Sequence, residues 1–215
     1  MKKLRLLITV MCMSFLLSVF MVSAAQADSM AFDIGIPNSD IAMYPGPYLH
    51  VDVNRTSGTT ATFNVTSYLT PNYYYFGGVG GFGVNINGPV TYSDITVTLS
   101  DNSAGSYATT GSPGVLDGFG SFNQGVQFDG DLHNVKQLVF TLTLSSGSWN
   151  DVNDVFMQNN KGYVAAAHIF PFDADGTALG TGYAGNGNPV PIPAAVWLLG
   201  SGLLGLVGIR RRFKK

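Results

Sequence analysis

The sequence predicts an all-β fold, a β-sandwich or jelly-roll-like ectodomain over residues 28–188, set between an N-terminal signal helix and a C-terminal transmembrane helix. Three observations predict it. The hydrophobic residues, 46% of the 215, form long uninterrupted runs only in the end segments 1–27 and 189–215. The segment between is rich in Gly, Thr, Val, Tyr and Phe, a composition that suits strands, and the chain has no Glu, which disfavours a coiled coil or helical bundle. Its apolar residues alternate with polar ones in short runs separated by Gly, Pro and Asn clusters.

At the amino end, Lys2, Lys3 and Arg5 precede an apolar run from Leu6 to Val22 that closes in Ser23-Ala24-Ala25-Gln26-Ala27. A basic start, an apolar centre and a small-x-small exit make a secretory signal peptide. Ala25 and Ala27 occupy the two small positions, and Asp28 becomes the first mature residue. The competing reading, an uncleaved anchor, needs about 20 apolar residues and lacks such an exit. Cys12, the only cysteine, lies in the removed segment. The mature chain is therefore without disulfides, a thiolate nucleophile or a Cys-ligated metal.

The middle carries the strand signals. Leu49, Val51 and Val53 alternate with His50, Asp52 and Asn54; Ala61, Phe63 and Val65 alternate with Thr62, Asn64 and Thr66; Ile95, Val97 and Leu99 alternate with Thr96 and Thr98. The clearest run places Leu138, Phe140, Leu142 and Leu144 on one face and Val139, Thr141 and Thr143 on the other, as a strand with one buried face requires. The continuous run Tyr163 to Phe170 reads as a central strand covered on both sides. Only Asp151 to Asn160, through Val152, Val155 and Phe156, suggests a helical turn. Turn clusters at Thr56-Ser57-Gly58, Asn87-Gly88-Pro89, Asp101-Asn102-Ser103, Gly111 to Gly114 and Ser145 to Ser148 punctuate the strands.

Charge narrows the function. Arg55, Lys136 and Lys161 are the only cations of residues 28–188, against all thirteen aspartates, so this segment carries a formal −10. So acidic a surface excludes nucleic acid as a partner, because nucleic-acid binding needs a basic footprint.

Motifs for catalysis are weak. Gly78-Val79-Gly80-Gly81-Phe82-Gly83 fits G-x-G-x-x-G, but strand-like residues lie on both sides and no helix follows, so it reads as a turn or bulge. Asp173-Ala174-Asp175-Gly176-Thr177 is oxygen-rich, yet its glycine comes too early for an EF-hand and no Glu closes it. Asp129 with Asp131, and Asp151 with Asp154, offer further oxygens, and solvated turn aspartates are the default reading for all of them. His50, His133 and His168 stand outside any hydrolase motif. Tyr73-Tyr74-Tyr75-Phe76 is a candidate sugar-stacking platform or simply a strand alternating between core and solvent. Glycoside hydrolysis needs two carboxyl groups, and without Glu only aspartates can supply them. No catalytic residue, cofactor or metal is assigned.

At the carboxyl end, Val190-Pro191-Ile192-Pro193-Ala194 leads into 16 uncharged residues, Ala194 to Ile209, and then Arg210, Arg211, Arg212, Lys214 and Lys215. As a helix the uncharged run spans roughly 24 Å, slightly short for a bilayer core of about 30 Å. The basic cluster keeps the terminus cytoplasmic and the rest outside. Pro191 and Pro193 hold their segment extended and available to a protease.

This tripartite tail resembles the sorting signal of the PEP-CTERM class, most closely its VPLPA-CTERM variant, with Ile192 where Leu is usual. The resemblance covers about 26 residues. It implies an exosortase as transient partner, insertion in the inner membrane through the C-terminal helix, and removal of that helix in a Gram-negative bacterium that makes exopolysaccharide. The competing reading is a plain single-span anchor. The expected function is thus an exported, non-catalytic surface or exopolysaccharide-matrix protein; the alternative is a glycan-binding module or carbohydrate-active enzyme of the same matrix.

Overall fold

The computed structural model describes residues 28–69 and 73–186. Ala25 and Ala27, the motif Val190 to Ala194, the apolar run and Arg210 to Arg212 lie outside them. Among the described residues the protein is all-β, with 53% of them in strands and almost no helix. In chain order the elements are β1 (Asp28–Pro37), β2 (Leu49–Arg55), β3 (Thr60–Ser67), β4 (Tyr73–Phe76), β5 (Phe82–Val84), β6 (Val90–Leu99), β7 (Ala104–Gly105), β8 (Thr109–Thr110), β9 (Gly114–Leu116), β10 (Gly120–Phe122), β11 (Gln124–Gln127), β12 (Val135–Leu144), a 3-10 turn (Val152–Val155), β13 (Ala165–Phe172) and β14 (Gly182–Asn186).

Twelve strands pair antiparallel in one sheet, eleven of them in the order β7-β6-β12-β3-β2-β1-β14-β13-β5-β11-β8. Strand β4 pairs with both β13 and β12, through Ile169↔Phe76 and Val135↔Phe76, so the sheet curls back on itself. Strands β9 and β10 form a separate hairpin. Sequence neighbours pair where a short turn allows it, as at β2–β3, and β12 joins distant partners β3 and β6.

The alternating residues behave as their period requires. Leu138, Phe140 and Leu142 are fully buried, as are Leu49, Val51, Val53, Ala61, Phe63 and Val65. Phe63 and Phe140 stack nearly parallel with centroids 4.8 Å apart, an arrangement that adds to what area burial alone supplies. Strand β13 begins at Ala165, two residues after the apolar run starts, and Ala165, Ala166 and Ala167 are fully buried. The backbone of this segment pairs with β14 on one side and β5 on the other. The strand signal at Val84 to Ile86 stops sooner than the sequence suggests, with Ile86 making only an isolated bridge to Phe156.

Strand β6 departs from simple alternation. Its register against β12 shifts between Thr96 and Ser93, and Asp94 there has φ +53°. This bulge puts Tyr92 and Ile95, three residues apart, against the core. The Tyr92 hydroxyl donates to Gly125 O (3.1 Å) and accepts from Gly125 N (2.8 Å).

The first mature residue of the sequence reading is also a structural one. Asp28 accepts from Arg55 Nε (2.7 Å) and, with its other oxygen, from Val152 N (2.8 Å). The start of β1, the end of β2 and the 3-10 turn are thereby tied together beside Trp149, whose carbonyl also accepts from Arg55.

Candidate functional site

A cleft rich in amides lies where β5, β10 and β11 meet the loop after the 3-10 turn, and has a volume of about 450 Å³. Five amides line it: Asn85, Asn123, Gln158, Asn159 and Asn160. Ser112 and Ser121 add hydroxyls, and Phe122 and Met157 add apolar surface. Among the described residues, no charged side chain lines it.

Backbone pairing fixes most of these amides. Asn123 ends the β5–β11 ladder by turning its side chain to Ile86, accepting from Ile86 N (2.9 Å) and donating to Ile86 O (2.8 Å). It thus does for Ile86 what the next residue of a strand would do. Asn85 accepts from Asn123 N (2.9 Å). Asn159 closes its own loop by accepting from Lys161 N and Tyr163 N (both 3.0 Å), and anchors the β9–β10 hairpin by donating to Phe119 O (2.7 Å). Ser112 donates to Phe122 O (2.7 Å). Ser121, Gln158 and Asn160 are exposed at the rim, and Met157 is 48% exposed.

The tyrosine run does not form a flat platform. Tyr74 and Phe76 are buried in the core, while Tyr73 and Tyr75 face outward, and Tyr75 meets Phe172 edge-on at 75°. Further along that face His133 stacks on Phe170 (4.3 Å) and His168 on Tyr183 (4.4 Å), so these rings cover one another's faces. The glycine-rich loop between β4 and β5 packs against this ladder. A Cβ at Gly78 would lie 3.3 Å from the His168 ring, and no helix follows the loop, as its turn reading requires. His168 Nδ1 meets Val79 O (3.0 Å), so Nδ1 carries the proton and Nε2 accepts from Thr181 Oγ1 (2.7 Å). Burial, opposed by the Val79 bond and aided by the charge of His133, holds its pKa below the ordinary histidine value.

His50 has the opposite surroundings. Its Nδ1 lies 2.7 Å from Asp33 Oδ1 and its Nε2 3.3 Å from Asp52 Oδ1, and Tyr68 donates to the same Asp33 oxygen (3.1 Å). Burial lowers its pKa, but the Asp33 hydrogen bond and the charges of Asp52 and Asp33 outweigh it, and the net shift is upward.

Three other aspartates serve turns. Asp151 caps the 3-10 turn through Asn153 N (2.7 Å), Asp154 accepts from Asn150 N (2.9 Å), and Asp173 accepts from Asp175 N and Thr177 N. Asp129 and Asp131 are exposed, and His133 meets Gly130 O between them in sequence. Among the described residues, no group of three or more His, Cys or Asp is arranged to hold a metal.

Sequence reasoning missed the cleft because its five amides are spread over 76 positions and belong to no motif. The one available signal was the polar cluster Gln158-Asn159-Asn160 after the helical turn. No family model, curated protein or solved structure matches the chain.

Proposed function

We propose that the chain is an exported, non-catalytic protein of the cell surface or exopolysaccharide matrix of a Gram-negative bacterium, delivered through the inner membrane and processed by an exosortase. One observation carries this reading: Val190-Pro191-Ile192-Pro193-Ala194, 16 uncharged residues and an Arg cluster occur in that order at the end of a chain that begins with a signal peptide. The first residue after the expected signal cleavage, Asp28, begins β1, and its carboxylate is built into the fold. Among the described residues, no helix is long and apolar enough to cross a membrane. The ectodomain is read as a β-sandwich or jelly-roll-like unit, with its strands packed around one aromatic core. A surplus of ten aspartates over cations keeps it soluble outside the cell.

The enzyme alternative requires two carboxyl groups facing one site. The amide cleft offers no such pair, and Asp28, Asp151, Asp154 and Asp173 are committed to backbone donors. Intact mass of the protein from host cells with and without the exosortase tests the proposal. A product running from Asp28 to the Val190 to Ala194 region, found only with the enzyme, supports it. Retention of Arg210 to Lys215 in both strains overturns it in favour of a plain membrane anchor.

A further inference from the structure

We propose that the amide-lined cleft between the β9–β10 hairpin and residues 157–160 is a binding site for a neutral, hydroxyl-rich saccharide. The cleft goes beyond the sorting reading and does not depend on it, since it is the same whether the tail is kept or cut.

The chemistry of the lining selects the ligand class. A carboxamide offers a donor and an acceptor side by side, the pair that neighbouring sugar hydroxyls can both use. Asn85, Asn123 and Asn159 are held by backbone groups at 2.7–3.0 Å, so they lose little conformational freedom on binding. Asn85 and Asn123 keep spare acceptor capacity, because an amide oxygen accepts two hydrogen bonds and each accepts one here, whereas Asn159, which accepts from Lys161 N and Tyr163 N and donates to Phe119 O and Ser121 O, only holds the cleft wall in place. Asn160, Gln158 and the Ser121 hydroxyl stand exposed at the rim. Met157, 48% exposed beside Phe122, gives an apolar surface for the carbon face of a pyranose ring.

Charge and size point the same way. A uronic-acid or sulfated chain would find no cation among the lining residues and would meet a strongly acidic domain. An apolar ligand would strip water from the exposed Asn160 amide and Ser121 hydroxyl without replacing its hydrogen bonds, at a cost of about 1–3 kcal/mol each. The volume of about 450 Å³ falls within the roughly 300–1,000 Å³ of small-molecule sites.

The test is a titration of the ¹⁵N-labelled full chain, held in a sugar-free zwitterionic detergent, with cellotetraose, maltotetraose and mannotetraose, and with tetragalacturonate as the acidic counterpart. The Asn and Gln side-chain amide resonances are followed in the parent and in Met157→Ala, Gln158→Ala and Asn160→Ala. These three sites are exposed, and an unchanged backbone spectrum verifies each fold. Asn160→Asp, of nearly the same size, carries the test should an alanine variant lose its fold. The expected result is saturable shifts of the Asn160 and Gln158 side chains with at least one neutral tetraose, and affinity weakened roughly tenfold in Met157→Ala and Asn160→Ala. The proposal fails if no neutral tetraose shifts these amides, if the variants bind as the parent does, or if tetragalacturonate binds equally well.

Discussion

Replacing Asp28 tests whether the start of β1 is a working part of the fold. Arg55 is only 8% exposed, and Asp28 is a carboxylate partner at 2.7 Å, itself 31% exposed at the side chain. A charge-assisted hydrogen bond of this kind contributes about 1.5–3 kcal/mol, and the second bond, to Val152 N, about 1 kcal/mol more. Breaking a fully buried ion pair costs about 3–5 kcal/mol, and partial exposure of Asp28 brings the expectation down to about 2–3 kcal/mol for Asp28→Ala. Asp28→Asn retains an acceptor for one donor but not for both, and should lose about 1–2 kcal/mol. Urea denaturation of the chain beginning at residue 28 reads this as a midpoint lower by about 1 M for the alanine variant. A loss below about 0.5 kcal/mol, the size of an ordinary surface substitution, would refute the argument that Asp28 compensates the Arg55 charge.

Three further outcomes follow from the core, the bulge and the imidazoles. Phe140→Ala removes a fully buried ring that stacks on Phe63 and packs near Phe82 and Tyr92; it should lower stability by about 3–5 kcal/mol in the same assay. Asp94→Gly relieves a left-handed backbone at φ +53°, so thermal melting should show a gain of about 1 kcal/mol; a loss would mean that the Asp94 side chain stabilises the bulge. His50 has a folded pKa above its ordinary 6.5. Its stabilising contribution is fully present below pH 6.5 and is lost as pH rises through the folded value. Because the pair is exposed and screened, His50→Gln should cost up to about 1 kcal/mol at acid pH and nothing at alkaline pH, read from melting temperatures across that range. His168, with a lowered pKa, acts in reverse, and its neutral contribution weakens as pH falls below 6.5.

Some of the molecule was legible residue by residue. The alternation of Leu138, Phe140, Leu142 and Leu144 identified a buried strand face because side chains in a strand repeat every two residues. Asp151 to Asn160, through Val152, Val155 and Phe156, suggested a helical turn, and the structure keeps only Val152–Val155 as a 3-10 turn, which Asp151 caps and which ends at Phe156. Where the pattern was interrupted, reading failed. Strand β1 carries Met30, Phe32 and Ile34 on its core face, yet Ala31 interrupts the alternation, and it was not recognised as a strand. In β6 the bulge at Asp94 moves Tyr92 onto the core face, a shift that a strict two-residue period cannot express.

The candidate sites divide along the same line. The proposed export and sorting signals are linear, because peptidases and membranes read contiguous sequence, so Ala25, Ala27, Asp28, Val190 to Ala194 and Arg210 to Arg212 can be proposed without a fold. The Tyr73 to Phe76 run shows the limit of such reading, since pairing with β13 sends Tyr74 and Phe76 inward and leaves Tyr73 and Tyr75 outside. The sequence by itself determined the strand-rich class and the acidity, which are properties of local composition and spacing. Only the tertiary structure decided the pairing of β1 with β14, the joining of Asp28 to Arg55 and the gathering of five amides around one cleft. Those depend on which strands meet, and antiparallel pairing between distant segments is set by the packing of the whole core and not by any neighbouring residue.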